Sequence, residues 1–457
     1  MKRDPAKLGR EKVSKLLLEF SIPAVIGTMV FASTNIVNTI FIGRGVGSIA
    51  LTAISLSFPV FSIFMAVGML VGIGGAALFS IRLGEGKPEE AEKILGNAVF
   101  LFIILSLLTS LLGEFFLIPI LHGLGASPDS LPYARDYLRI ILAGVFFNFI
   151  AMGLNNFVRA SGHPGIAMMT LVIGAIVNIG LNLLLVIHLH WGVKGAAYAT
   201  FSSTAFSAGW VIIHFMSGRN GIQLRLKHIG FDSKIMGPAL LIGLSPCLMQ
   251  VAASLIAALC NKSLAHYGGD LAVGSMAVIY SVAMLFIMPI IGINQGAQPV
   301  IGFNYGAKAY DRVRAAFRQA LIAATVISTI GAALIHLFPH KLVTLFSRGD
   351  IALSNVAEPG LRIFLSLVFL VGFQSVAANY FQAIGRPRIS ILLNLLRQVI
   401  IFIPALYILP RFFGLYGVWY SAPLSDFLAT AITAVFVIKE YRRLKQATTT
   451  TPSFQIR

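Results

Sequence analysis

The sequence predicts an all-α polytopic membrane protein: twelve transmembrane helices in two parallel six-helix repeats. Three observations lead there. First, only 11% of the 457 residues are charged and 57% are hydrophobic, whereas a soluble domain carries about 25% charge. Second, the apolar residues fall into twelve runs, each near the ~20 residues a helix needs to cross hydrocarbon. Third, the second half of the chain repeats the first in register. The composition excludes a soluble enzyme, and an apolar fraction this high excludes a disordered chain.

The runs separate at glycine, proline and charge clusters. In chain order they cover residues 16–42, 51–80, 95–120, 133–158, 165–189, 193–216, 236–262, 271–303, 315–338, 359–383, 388–410 and 415–438. The polar stretch from Ser217 to Lys234 is the longest between runs. This divides the chain into an N-terminal bundle (1–217), a basic cytoplasmic linker (218–234), a C-terminal bundle (235–445) and a disordered tail (446–457). The basic N-terminus leads into an apolar run that is too long for the core of a removable signal peptide.

Net charge is +18, which on a soluble protein would suggest nucleic acid. Here the basic residues sit in short clusters between runs, and no nucleic-acid partner is expected. With the N-terminus inside, 26 of the 35 Lys and Arg fall on the cytoplasmic side and 9 outside. The inside clusters are Lys2 to Lys15, Arg82 to Lys93, Arg219 to Lys234, Lys308 to Arg318, Arg386 to Arg388 and Lys439 to Lys445. The positive-inside rule then places both termini of this multi-pass membrane protein in the cytoplasm.

The repeat has an offset of 222 or 223 residues. Pro23 matches Pro246, Asn38 matches Asn261, Gly74 matches Gly296, Gly84 matches Gly306, and Arg139 matches Arg362. Asn156, Ala160, Gly162 and Pro164 match Asn379, Ala383, Gly385 and Pro387; Gly192, Gly195 and Tyr198 match Gly414, Gly417 and Tyr420. Unrelated apolar chains share scattered Leu and Ile, not Gly, Pro, Asn and Arg in register. Six spans is an even number, so both copies enter the membrane from the same side, as parallel repeats with a cleft between them. Rocking two such bundles opens the cleft to alternate sides, which points to a transporter.

Residues 292–308 read Gly-Ile-Asn-Gln-Gly-Ala-Gln-Pro-Val-Ile-Gly-Phe-Asn-Tyr-Gly-Ala-Lys at the end of the eighth span. The glycines allow close helix approach and the amides can bond across helices. This segment resembles the signature after the eighth helix of the multidrug and toxic compound extrusion (MATE) family. Asn-Ile-Val-Asn-Thr-Ile-Phe-Ile-Gly-Arg-Gly-Val-Gly at 35–47, Trp-Gly-Val-Lys-Gly-Ala-Ala at 191–197 and Ser-Ala-Pro-Leu-Ser-Asp at 421–426 resemble that family's helices 1, 6 and 12. The resemblance covers about residues 12 to 445 and is nearest the bacterial DinF-like and MepA-like branch. It implies a V-shaped pair of bundles that exports small amphipathic compounds against Na⁺ or H⁺ entry.

Two residues depart from what the resemblance implies. Asn38 and Asn182 stand where the family often has aspartates that are candidates for cation coupling. An amide takes up no proton near neutral pH, but its oxygen can ligate a hard cation. Asn38, Asn178 and Asn182 are therefore candidates for Na⁺ coordination, with hydrogen bonding between helices as the structural alternative.

Among ionisable groups inside the spans, Asp426 and Arg397 lie about 18 Å and about 13–14 Å deep from the same side at 1.5 Å per residue. We expect an ion pair, with Asp426 either a coupling residue or a structural partner of Arg397. Glu114, Arg139 and Arg362 sit toward outer span ends. Glu114 is a further coupling candidate. The repeated arginines are gating candidates with Glu114 or Glu358 as partners; snorkelling to the interface is the alternative.

Residues placed near mid-depth as candidates for a substrate cavity are Met29, Phe147, Asn148, Met152, Asn155, Gln250, Tyr280, Met284, Gln374 and Tyr380, and Asn261, a polar residue of the seventh span, is a further cavity candidate. Flexible Met and aromatic faces suit ligands of varied shape. Pro23 and Pro246 occupy equivalent sites and are candidate hinges, because each removes a backbone donor and tends to bend its helix. Cys247 and Cys260 lie about 20 Å apart along one predicted helix and cannot bond to each other.

No phosphate-binding Gly-x-x-x-x-Gly-Lys-Ser/Thr segment and no hydrolase triad context appears, so no enzyme activity is expected. The His residues are not metal-spaced, so no cofactor is expected beyond Na⁺ as a coupling ion. The leading reading is a secondary antiporter. A lipid-linked precursor flippase of the same superfamily, or a membrane scaffold or sensor without transport, are the alternatives. Protein partners are not indicated.

Overall fold

The computed structural model describes residues 7–46, 48–218, 221–347 and 350–450. Lys2, Gly47 and Arg219 of the sequence reading, and residues 451–457, lie outside the described residues. The described chain is helical, and we number its twelve crossing helices in order. The first three are α1 (Val13–Gly45), α2 (Ser48–Gly84) and α3 (Pro88–Phe115). Next, α4 is a pair, Leu131–Ala143 and Val145–Ala160, bent by 55° at Gly144. Then come α5 (Pro164–Asn182, continued by a π-turn, Leu183–His188) and α6 (Gly192–Met216).

The second half follows the same plan. One helical run, Ser233–Gly306, holds two arms that break at Gly269 (φ 65°), giving α7 and α8. Only glycine adopts that backbone without strain, so a single residue turns the chain back. After it come α9 (Tyr310–Leu337) and α10, a pair (Ile351–Phe364, Val368–Ala383) bent by 51°. The bends of α4 and α10 occupy equivalent places in the two repeats. The last two helices are α11 (Pro387–Phe413, with a π-turn at Leu396–Ile401) and α12 (Leu415–Thr450). Helix α12 runs through Gln446, where the sequence reading ends the bundle and begins a disordered tail.

The two lobes, α1–α6 and α7–α12, meet along a seam built from glycine. A Cβ on Gly84 of α2 would overlap the Phe303 carbonyl of α8, and one on Gly306 of α8 would overlap the Ile81 carbonyl of α2. Each contact is the image of the other under the repeat, so the seam lies on a pseudo-two-fold axis. Deeper in, Gly74 of α2 sits against α7, with Gly243 N 2.6 Å from its would-be Cβ; Gly296 of α8 sits equally close to the Ser21 backbone of α1. Helices can approach this closely because the glycine at each contact carries no side chain.

The N-terminal segment completes the closure. Asn304 Nδ2 and Arg312 Nη2 each donate to the Leu8 carbonyl at 3.0 Å, and Arg312 Nη2 also donates to Glu11 O at 2.6 Å. The cross-seam hydrogen bond farthest from this end among the described residues is Thr28 Oγ1 to Met288 O, 3.1 Å. All these contacts lie on the side that carries the chain ends and the turn residues 85–87 and 307–309. The lobes thus meet over one half of their length and part over the other, as a V.

Candidate functional site

The N-terminal lobe brings three asparagines together where α1 crosses α5. Helix α5 presents Asn178 and Asn182 on one face because they are four residues apart. Asn182 Nδ2 donates to Asn38 Oδ1 at 3.0 Å, to Asn178 Oδ1 at 3.2 Å and to Asn178 O at 2.9 Å. Asn178 Nδ2 donates to Ser203 Oγ of α6 at 3.3 Å. Asn182 is fully buried, Asn178 is 4% exposed, and Asn38 is half-buried. Asn182 Oδ1 is buried with no hydrogen-bond partner among the described residues. A buried acceptor left open is costly, and an amide oxygen is a donor that a hard cation can use; here the Asn38 and Asn178 oxygens are taken up by Asn182 Nδ2, and the Asn182 oxygen is the open one. No group of three or more His, Cys, Asp or Glu that could hold a metal is found among the described residues.

The C-terminal lobe holds a charged pair instead. Arg397 Nε donates to Asp426 Oδ1 at 2.6 Å, joining α11 to α12. Asp426 is 5% exposed. Arg397 lies within the π-turn of α11, and Ser425 Oγ donates to its carbonyl oxygen. A π-turn frees carbonyls from the regular ladder, and here a neighbouring serine takes one up.

The outer arginines pair inside each lobe. Arg139 Nε donates to Glu114 at 2.6 Å, linking α4 to α3, and Arg362 Nη2 donates to Glu358, one turn earlier on α10, at 3.1 Å. Both pairs are solvent-exposed. Neither crosses the seam, so in this conformation neither arginine closes the outer side.

Three proposed cavity residues prove to be sealed inside a lobe. Asn155 is 3% exposed; it donates to Ala167 O at 2.8 Å and accepts from Arg159 Nη1 at 2.6 Å. Gln374 faces α11, donating to Leu393 O at 3.3 Å. Tyr380 is fully buried, stacks on Phe317 with ring centroids 4.1 Å apart, and donates its hydroxyl to Glu440 at 3.1 Å. The others keep accessible surface: Met29, Phe147, Asn148, Met152, Gln250 and Tyr280 are half-buried, and Asn261 and Met284 are exposed. The helices run unbroken through Pro23 and Pro246. Cys247 and Cys260 are both free.

The duplicated seam is matched by a duplicated family signature: the MatE family model fits residues 23–184 and again 246–408. The chain belongs to the MatE family. The repeats begin at Pro23 and Pro246, the pair first marked by the offset. Among curated relatives, the multidrug export protein MepA of Staphylococcus haemolyticus (strain JCSC1435) is 28% identical over 430 residues, 94% of each chain. Among solved structures, a MATE protein bound to MaL6 matches at a TM-score of 0.92 and 25% identity, over 97% of this chain and 100% of that one. A multidrug resistance MATE transporter of the MOP superfamily, in an outward-facing conformation, matches at 0.92 and 25%, over 97% and 99%. MatE proteins are multi-pass membrane transporters, and the twelve helices here fit that plan.

Sequence reasoning missed two buried carboxylates at the base of this MatE chain. Glu92, 4% exposed, accepts from Gln223 N at 2.9 Å and pairs with Arg225 at 3.1 Å, which fastens the linker to α3. Glu440, also 4% exposed, pairs with Arg386 at 2.8 Å and Arg443 at 3.2 Å. Both stand among the basic clusters, where a charged side chain reads as solvated surface. Arg159, 5% exposed and held by Asn155 and Asn156, was missed for a similar reason: it falls one residue beyond the predicted span.

Proposed function

We propose that this protein is a secondary antiporter of the bacterial inner membrane that exports small amphipathic compounds in exchange for Na⁺ or H⁺ by alternating access. The observation that carries the reading is the one-sided seam. Two lobes related by a repeat meet over the half of their length that carries the chain ends, and no cross-seam hydrogen bond among the described residues joins the other half. Such a pathway faces one compartment at a time. The basic clusters lie at the closed end, and the positive-inside rule makes that end cytoplasmic, with both termini there. The relative's printed name, a multidrug export protein, supports the same direction of transport.

The N-terminal cluster supports Na⁺ over H⁺ in that lobe, because Asn38, Asn178 and Asn182 offer oxygens and no titratable proton. Asp426 remains the ionisable candidate for coupling in the C-terminal lobe. Its carboxylate is engaged by Arg397 in this conformation, so coupling there needs a state in which the pair opens.

Purified protein in liposomes, with Na⁺ and pH gradients imposed independently, tests the reading. Dye export should follow the Na⁺ gradient at fixed pH, and Asn182→Leu should abolish that response. Asp426→Asn, if made normally and unchanged in its ion dependence, removes Asp426 from coupling. Export that follows neither gradient overturns antiport.

A further inference from the structure

At the closed end of the seam, outside the transport pathway, lies a cavity of about 950 Å³. Both lobes and the linker wall it. The turn between α2 and α3 contributes Arg82, Glu85 and Lys87; the turn between α8 and α9 contributes Tyr305, Lys308 and Tyr310; the linker contributes Ile222. The two turns are images of one another under the repeat, so the cavity sits on the pseudo-two-fold axis.

The charge on the two sides is unequal. Arg82 bonds Glu85 at 2.6 Å and Glu90 at 3.2 Å, and Lys87 lies 3.4 Å from both acids. Those two cations share two carboxylates and are balanced. Lys308, on the facing turn, has no carboxylate within ion-pair distance among the described residues. The wall therefore carries an uncompensated positive charge beside an apolar and aromatic floor, where Tyr305 and Tyr310 meet edge-on with centroids 6.0 Å apart.

The backbone at Lys308 is unusual in the same place. Three repeated turns of this chain enter the left-handed region: Gly86 and Lys308 (φ 74° and 56°), Gly162 and Gly385 (94° and 72°), and Gly192 and Gly414 (60° and 56°). Five of the six positions are glycine, which pays no steric penalty there. Lys308 is the exception, and it is the residue that lines the cavity. A strained non-glycine residue is kept where its side chain has a task.

We propose that this cavity binds a phosphate group borne on an amphipathic ligand, with Lys308 as its cation, and that the bound ligand holds the lobes closed at this end. A phosphate offers oxygens in several directions and can accept from both turns at once, while the aromatic floor takes the apolar part. The site is assembled only when the lobes meet, so a ligand seated in it favours that state by its differential affinity.

The test uses the full chain with phenyl phosphate and inorganic phosphate in detergent, and nanodiscs of phosphatidylcholine with or without phosphatidylglycerol. Phenyl phosphate should bind saturably, at least tenfold tighter than inorganic phosphate, and raise the melting temperature. A rise seen only with phosphatidylglycerol nanodiscs makes the ligand a lipid headgroup; a rise with phenyl phosphate makes it a soluble phosphate compound. Lys308→Gly relieves the left-handed strain, so its own melting temperature should be higher than wild type while its response to the effective probe weakens at least tenfold. Because that variant is stabilised, loss of response cannot be misfolding. Spin labels on Thr39 and Leu271, at the outer ends of α1 and α8, should show the ligand enriching the widest separation. Equal responses in wild type and Lys308→Gly, no response to any probe, or an unchanged label distribution overturns the proposal.

Discussion

The two lobes share one frame and hold it together with different chemistry. In the N-terminal lobe, α5 and α6 are joined through neutral groups: Asn178 reaches Ser203, and Asn182 reaches Asn38 of α1. In the C-terminal lobe, α11 and α12 are joined by the Arg397–Asp426 pair and by Ser425. Under the repeat offset, Ser203 and Ser425 are equivalent, while Arg397 stands opposite Gly174 and Asp426 opposite Thr204. A Cβ at Gly174 would lie 2.5 Å from Ser207 Oγ, so a side chain there requires that hydroxyl to move. Duplication fixed where helices cross; later divergence decided whether the crossing carries charge. A neutral crossing can release its partners at little cost, whereas a charged one in a low-dielectric interior must exchange one counter-ion for another.

The difference is largest for a cut through the charged pair. Arg397→Met leaves Asp426 buried without its cation, and we expect a loss of about 3–5 kcal/mol. The double variant Arg397→Met/Asp426→Leu should recover most of it, because no charge is left stranded. Unfolding of both variants in detergent measures this directly; equal stability of single and double variants would mean that packing, not charge, joins α11 to α12. In the other lobe Asn182→Leu removes three donated bonds together with one open acceptor, and we expect a smaller loss of about 1–3 kcal/mol.

The spans and the repeat were legible because Gly, Pro and Arg in register have no other cause, and because hydrocarbon thickness sets helix length. Depth was legible too: counting from the span ends placed Arg397 and Asp426 at neighbouring levels, and the structure pairs them. Rotation about the helix axis was not. In a span, the lipid face and the lobe core are both apolar, so no polar stripe separates a cavity wall from a packed interior. That is why Tyr380, Gln374 and Asn155, at plausible depths, turn out to point into their own lobes. The outer arginines were legible in part: Arg139 meets Glu114 and Arg362 meets Glu358, the partners expected, but repetition does not show whether those acids lie across the seam or beside them. The break between α7 and α8 was legible as the gap at residues 263–270, but not that helix fills most of that gap and the chain turns at Gly269 alone.

The equivalent serines sharpen the comparison at a smaller scale. Ser425 donates across to a carbonyl freed by the π-turn of α11, while Ser203 accepts a long bond from Asn178 and donates to Thr200 O on its own helix at 3.0 Å. Ser425→Ala should therefore cost about 1 kcal/mol and Ser203→Ala about half of that. Thermal unfolding of the two variants checks the order; a larger cost at Ser203 would show that the neutral crossing is the stiffer one.

The smallest effect lies at the bases of the lobes, where each buries one glutamate differently. Glu440 is enclosed by side chains of its own lobe, but Glu92 is covered by the linker, with His228 Nδ1 4.0 Å from its carboxylate and Arg225 closer at 3.1 Å. Burial holds the His228 pKa below its ordinary value of 6.5, with Lys227 adding to the effect and Glu92 opposing it; Arg225 and Lys93 act in the same sense as Lys227. The strap is therefore at full strength where His228 is neutral in both the folded and the released linker. As pH falls below ~6.5 the released linker takes up a proton that the docked one resists, so docking weakens. Hydrogen exchange over residues 221–230 should speed up by a few-fold between pH 7.5 and pH 5.5, after correction for the intrinsic rate, and His228→Asn should flatten the dependence. The corresponding base of the C-terminal lobe contains no histidine among the groups bonded to Glu440, so exchange over residues 380–386 should not follow the same titration. If both bases respond alike, the pH sensitivity belongs to the carboxylates and not to the strap.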